Sequence, residues 1–86
     1  MKIWVSKYAL SDGIFEGESE GTIRDGMVRV AGQNLYLHGE GREWHRTREA
    51  AVSLAEQMRS KKIESLRKQI ERLELLKFGE LHDPPP

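Results

Sequence analysis

The 86-residue chain is long enough for one small domain and leaves little buried volume for a deep catalytic cavity. Its 14 Lys/Arg and 14 Asp/Glu residues cancel, which excludes a global field that would drive the whole chain to nucleic acid or to an anionic membrane. It contains no cysteine, which excludes disulfides, thiol nucleophiles and thiolate metal sites.

In the first half of the chain, turn residues occur at the intervals expected of an antiparallel sheet. Glycine-containing turns separate short apolar runs at SDG (11–13), RDG (24–26), AGQN (31–34) and GEG (39–41). We therefore predict an α+β domain that begins with a five-stranded antiparallel β-meander over residues 1–46. Its strands are predicted near 2–10, 14–23, 27–31, 35–38 and 42–46. Asp25 and Gly26 are typical of a two-residue type I′ turn, which would place Ile23 opposite Val28.

The second half predicts one long C-terminal helix over residues 47–78. Thr47 is the expected N-cap and Gly79 the expected stop, and no glycine or proline interrupts the pattern between them. Residues 1–78 then form a single domain, and residues 79–86, which end in three prolines, are predicted to be a disordered tail.

The helix carries apolar residues on two different faces. Small and flexible side chains in its first half suit packing on a sheet, whereas its second half has a coiled-coil-like seam at spacings of three and four residues: Ile63, Leu66, Ile70 and Leu73. Two interpretations stay open. The seam pairs with a helix outside the monomer, most simply in a homodimer of undecided orientation, or it folds back onto the chain's own sheet.

The segment HGEGREWH (38–45) contains two histidines and an acid between them. Two hairpin registers are possible, and the one that places Trp44 on the same face as Leu35 and Leu37 is favoured because a buried face fixes register. The outer face would then carry a partner-binding group: Tyr36, His38, Glu43 and His45.

Two charged stretches are further candidates for interaction. In EGESEG, period two places Glu16, Glu18 and Glu20 on one face of a strand, either as a solvated edge strand or as an acidic ridge for a basic partner. On the helix, Lys61, Lys68 and Arg72 form a basic stripe that would contact nucleic acid through phosphates. Interleaved glutamates favour a solvated helix face instead.

Recognised catalytic and metal patterns are not found. Neither Ser6 nor Ser11 has the sequence setting of a nucleophile, and the acids of EGESEG have equal environments that cannot split their pKa values. His38, Glu43 and His45 are a weak metal signal. We therefore expect no enzyme activity, no cofactor and no metal.

Three segments carry a resemblance to a known group of proteins: KYALSDGI (7–14), HGEGREWHRTREAA (38–51) and LELLKF (73–78). Together they resemble small proteins encoded in bacteriophage and prophage genomes, a group that implies no particular activity. Some phage proteins of this size, including anti-CRISPR proteins, inhibit bacterial immunity. The absence of cysteine favours a reducing cytosol, and the resemblance implies that this is the cytosol of a bacterial host.

From the residues and the resemblance together we expect a non-enzymatic protein that binds a host or phage protein. The alternative is a dimeric nucleic-acid-binding regulator of phage genes. MKIWVSKYAL is too short and too interrupted for a signal peptide or a membrane span, so we expect no membrane association.

Overall fold

The computed structural model describes residues 1–79, 81, 83 and 84, without the side chains of residues 22–24. It confirms the α+β class, with an N-terminal five-stranded antiparallel sheet followed by one long C-terminal helix. The strands are β1 (Lys2–Val5), β2 (Phe15–Arg24), β3 (Met27–Val30), β4 (Tyr36–His38) and β5 (Trp44–His45). The helices are the four-residue α1 (Ala9–Asp12) and the long α2 (Arg48–Glu74).

The strand order differs from that of a simple meander. It is β4-β3-β2-β1-β5, so the fifth strand leaves its chain neighbour β4 and pairs antiparallel with β1 at the opposite edge. Trp4 lies opposite His45, and Val5 lies opposite Trp44. Neither register predicted for a hairpin at residues 38–45 is therefore present, because β4 and β5 are not paired.

The turn between β2 and β3 lies at Asp25–Gly26 as predicted, but its type and register differ. Among the described residues only glycines have positive φ, so Gly26 (φ 71°) has it and Asp25 does not, which excludes type I′. Register shifts within β2 bring Thr22, and not Ile23, opposite Val28. A bulge adds one residue to a strand and so changes which residue meets the partner.

The two faces of β1 and β5 are both covered. On one face Ile3, Val5 and Trp44 join residues of β3 and β4 in a single buried cluster, whose other members are Val28, Val30 and Leu37. On the other face α2 contacts β1 and β5, with Ala51 fully buried. Trp44, 1% exposed, is a core residue as predicted, and its indole Nε1 donates a 2.8 Å hydrogen bond to the carbonyl oxygen of Gly26.

Helix α2 begins where the sequence predicted and ends earlier. The Thr47 hydroxyl accepts a hydrogen bond from the amide of Ala50 at 3.2 Å, which confirms the N-cap. The last helical residue is Glu74, four residues before the predicted end at Phe78. Residues 75–78 are exposed, so burial against the rest of the fold does not stabilise a further helical turn there.

The 27 residues of α2 make a rod of about 40 Å, longer than the sheet beneath it. The molecule accordingly measures 60 × 30 × 21 Å, with a radius of gyration of 19.4 Å against about 12 Å for a compact chain of this length. No described helix is both long enough and apolar enough to cross a membrane.

The tail predicted at residues 79–86 falls partly outside the described residues, since 80, 82, 85 and 86 are not among them. Its disorder stays a prediction.

Candidate interaction surfaces

The four residues of the predicted seam lie together on the free part of α2. Every residue from Arg59 to Gly79 is exposed, and the seam side chains range from 41% exposed at Ile63 to 66% at Leu73. Their spacings of three and four residues keep them on one side of the helix. We call Ile63, Leu66, Ile70 and Leu73 the seam.

The alternative interpretation, in which the seam folds back onto the sheet of its own chain, is wrong for this structure. The residues of α2 that reach the sheet are in its first half, where Ala51 is buried and Leu54, Ala55 and Met58 are half-buried. Beyond Met58 the helix projects past the sheet, so in this chain nothing described covers the seam.

The predicted outer face at residues 36–45 is only partly formed. Tyr36 and His38 are exposed on β4, and Glu43 is half-buried. His45, by contrast, is only 3% exposed, so the expectation that it shares an outer surface with Tyr36 and His38 is wrong. The reason is the position of β5: it pairs with β1, where the helix covers the face on which His45 lies.

The remaining residues of that face are held by local contacts. One Glu43 carboxylate oxygen accepts a 2.7 Å hydrogen bond from the amide of His38 and lies 3.6 Å from Nζ of Lys7. The Arg29 guanidinium lies over the Tyr36 ring, 5.9 Å from its centroid. Tyr36 and His38 thus present an aromatic surface with a neighbouring cation. Glu43, in the loop before β5, is joined to this surface by its hydrogen bond with the His38 amide.

The three glutamates of EGESEG are all exposed on one face of β2, as period two predicts. Their strand is not an edge strand, however, because β2 lies in the middle of the sheet between β1 and β3. Each carboxylate also has a cation nearby: Lys2 at 3.5 Å from Glu16, the N-terminal ammonium at 2.9 Å from Glu18, and Arg29 at 2.8 Å from Glu20. These exposed pairs reduce the negative field that an acidic ridge would offer a basic partner.

The basic stripe is present on the exposed part of α2. Lys61, Lys68 and Arg72 line one shallow depression together with Glu64. The carboxylate of Glu64 lies 3.5 Å from Nζ of Lys68, so one of the three cations is already paired within the helix. The positive charge of the stripe is therefore partly neutralised within the helix.

The structure brings Ser6 and His45 together, which the sequence did not predict. The Ser6 hydroxyl oxygen lies 2.8 Å from Nε2 of His45 and 3.0 Å from the carbonyl oxygen of Arg42. Ser6 is fully buried, and burial lowers the pKa of His45. A nucleophile needs access to substrate and an orienting acid on its histidine. Ser6 is not accessible to a substrate. Among the described residues, no carboxylate is hydrogen-bonded to the His45 imidazole to orient it.

His45 is buried on the face that α2 covers whereas His38 is exposed on β4, so the three residues of the weak metal signal, His38, Glu43 and His45, do not share one surface. Within the described part of the chain, no group of three or more His, Asp or Glu side chains is placed to hold a metal ion. Glu40, near His45 in sequence, is instead paired with Arg46, whose guanidinium Nε donates a 2.7 Å hydrogen bond to the carboxylate. This bond lowers the pKa of Glu40 and raises that of Arg46.

Comparison of the chain with models of protein families, with curated proteins and with solved structures found no significant match.

Proposed function

We propose that this chain acts by binding other proteins, without catalysis, and that the seam is its principal contact surface. The observation that carries the proposal is the exposed half of α2, in which four Ile and Leu side chains lie in line with nothing described over them. Helices in proteins gain most of their stability from packing of an apolar face. A helix segment of about 16 residues without such packing is marginal alone, so a partner on the seam would stabilise it.

The simplest partner for the seam is a second copy of the chain. A twofold axis makes the same patch serve both subunits, and Ile and Leu at alternating three- and four-residue spacing are typical of two-stranded coiled coils. Light scattering of the purified chain at micromolar concentrations should give twice the chain mass of 9.9 kDa. A monomeric mass across that range would refute self-association.

A matched pair of variants identifies the surface. Ile70→Glu places a charge in the centre of the seam and should return the protein to a monomer, because a carboxylate buried between two helices pays a large desolvation penalty. Gln57→Glu introduces the same charge at an exposed position on the opposite side of α2 and should leave the dimer intact. A dimer that survives Ile70→Glu would place the interface elsewhere.

The resemblance to phage and prophage proteins supports a setting in the bacterial cytoplasm, with a host or phage protein as target. Specifically, we propose that the chain inhibits bacterial immunity, as anti-CRISPR proteins do. The exposed pair Tyr36 and His38 is the surface to test for that target. Aromatic side chains dominate binding energy at many protein interfaces.

The test is affinity capture from the lysate of the bacterial host with the intact protein and with Tyr36→Ala. A target bound through this surface is retained by the intact protein and lost, or weakened at least tenfold, with the variant. Lys61→Ala, on the exposed half of α2, is the control and should retain it. A target retained equally by all three proteins would exclude the β4 surface as its binding site.

The second candidate function is a dimeric nucleic-acid-binding regulator. Its support is the common exposed face of Lys61, Lys68 and Arg72, which lies away from the seam and would stay accessible in a dimer. The pairing of Lys68 with Glu64 makes it the weaker candidate.

A further inference from the structure

Val52, in the first half of α2, lies on the same side of the helix as the seam. Eighteen residues separate Val52 from Ile70, which is about five full turns at 3.6 residues per turn. Val52 and Ala55 form one wall of an open groove of about 370 Å³, and Trp4, Ile14 and Phe15 contribute to the rest. The groove, whose lining also includes Glu16 and Arg48, and the seam therefore lie on one side of α2, with the exposed Arg59 between them.

We propose that a second copy of the chain covers the groove and the seam in antiparallel orientation, with Phe78 of each copy seated in the groove of the other. The inference rests on the self-association proposed above and adds its direction, its register and a second contact. Phe78 is 83% exposed and follows the end of α2, so it is free to make such a contact.

The seam is self-complementary in one antiparallel register. When Ile63 lies opposite Leu73 of the second copy, Leu66 lies opposite Ile70, and the twofold axis repeats both pairs. All four seam residues are then used, each isoleucine against a leucine. In this register Leu75 of one copy is level with Lys61 of the other.

The chain beyond α2 is long enough to reach the groove from that position. Residues 76–78 are not helical, and three extended residues span up to about 10 Å. Ala55 lies six helical residues before Lys61, which is about 9 Å along α2. Phe78 of the second copy therefore arrives beside Ala55. Phe78 of the same chain is about 30 Å from Ala55 along the helix and cannot fill the groove.

Charge favours the antiparallel direction. A parallel pair would place Lys62 beside Arg67 of the mate, and these are two cations. Side chains on a helix lean toward its N-terminus, so in the antiparallel pair Arg67 and Glu74 of the second copy lean toward each other. Antiparallel pairing also places the two sheets at opposite ends of the dimer, where they cannot collide.

The groove offers an aromatic ring a surface on which to bury area. A standard interface buries about 800 Å² per subunit, more than four aliphatic side chains supply, and one buried aromatic adds about 150–250 Å².

The absence of cysteine makes disulfide crosslinking a direct test. The double variant Ala55→Cys with Phe78→Cys should form covalent dimers under mild oxidation, since a disulfide needs Cα atoms within about 7 Å and the two positions of one chain are far apart. Gln57→Cys with Phe78→Cys is the matched control, because Gln57 lies on the other side of α2 at nearly the same level. It should crosslink at least tenfold less.

Direction is tested separately with Ile63→Cys, whose thiols meet in a parallel pair and stay apart in the antiparallel one. Phe78→Ala should raise the Kd of the dimer roughly tenfold or more. A protein of dimer mass that crosslinks equally at Ala55 and Gln57, or through Ile63→Cys alone, would overturn this arrangement and leave self-association standing. A monomeric mass would overturn both.

Discussion

The hydroxyl oxygen of Ser6, at the end of β1, lies 2.8 Å from Nε2 of His45 on the neighbouring strand β5, and both side chains are buried. A hydroxyl has one proton, and the carbonyl of Arg42, 3.0 Å from the same oxygen, can only accept. The arrangement that satisfies all three groups has Ser6 donating to Arg42 and the neutral imidazole donating from Nε2 to Ser6. Ser6 thus connects β1 to the loop before β5.

Ser6→Ala should lower the free energy of unfolding by about 1–3 kcal/mol, because it leaves the buried Nε2–H of His45 without an acceptor. Urea denaturation monitored by circular dichroism measures the change. Ser11→Ala is the control: its hydroxyl is exposed, and its loss should cost less than about 0.5 kcal/mol. Equal effects of the two variants would show that the buried hydrogen bond does not stabilise the fold.

His45 makes the stability of the fold sensitive to mildly acidic pH. Burial holds its pKa below the ordinary value of 6.5, so the unfolded chain takes up a proton at a pH where the folded chain does not. The free energy of unfolding should be highest above about pH 6.5 and should fall as the pH decreases toward the folded pKa. Denaturation curves between about pH 7.5 and pH 5 measure this slope.

Two variants separate this histidine from other groups that titrate. His45→Gln should flatten the slope between about pH 7.5 and pH 5. His38→Gln, at an exposed position on β4, should preserve it. An unchanged slope in His45→Gln would exclude His45 as its source.

The sequence predicted the elements of this fold better than their arrangement. The N-cap at Thr47 and the turn at Asp25–Gly26 are local features, and the residues that make them are adjacent in the chain. The pairing of Trp44 and His45 with β1 joins residues about forty positions apart. Chain neighbours pair more often than distant strands, so a hairpin between β4 and β5 was the natural expectation, and it was wrong.

The same nonlocal pairing explains which surface residues were misjudged. Period two correctly separates Trp44 from His45 onto opposite faces, but it cannot tell that α2 covers the second face. The seam was predicted because a three-and-four spacing is visible in the sequence. The groove at Val52 was not predicted. The interval of eighteen residues between Val52 and Ile70 is visible in the sequence, but the groove also needs Trp4 and Phe15, which come from strands distant in the chain.

Trp44 connects the β2–β3 turn to the strand β5. Trp44→Phe removes the hydrogen bond from Nε1 to the Gly26 carbonyl oxygen and should lower the free energy of unfolding by about 1–3 kcal/mol. Trp4→Phe is a matched control, since no described residue accepts a hydrogen bond from its indole, and it should cost less. Thermal or urea unfolding compares them; an equal loss in both would mean that ring volume, and not the hydrogen bond, sets the cost.

Titration of labelled duplex DNA at two salt concentrations decides between the two candidate functions. We expect no binding even at about 50 mM salt, because Lys61, Lys68 and Arg72 share their face with Glu64, which is paired with Lys68. A regulator that neutralises several phosphates would bind at low salt and lose affinity steeply as salt increases. Such binding, abolished by Lys61→Ala with Arg72→Ala and unaffected by Tyr36→Ala, would favour the nucleic-acid regulator over the protein-binding inhibitor.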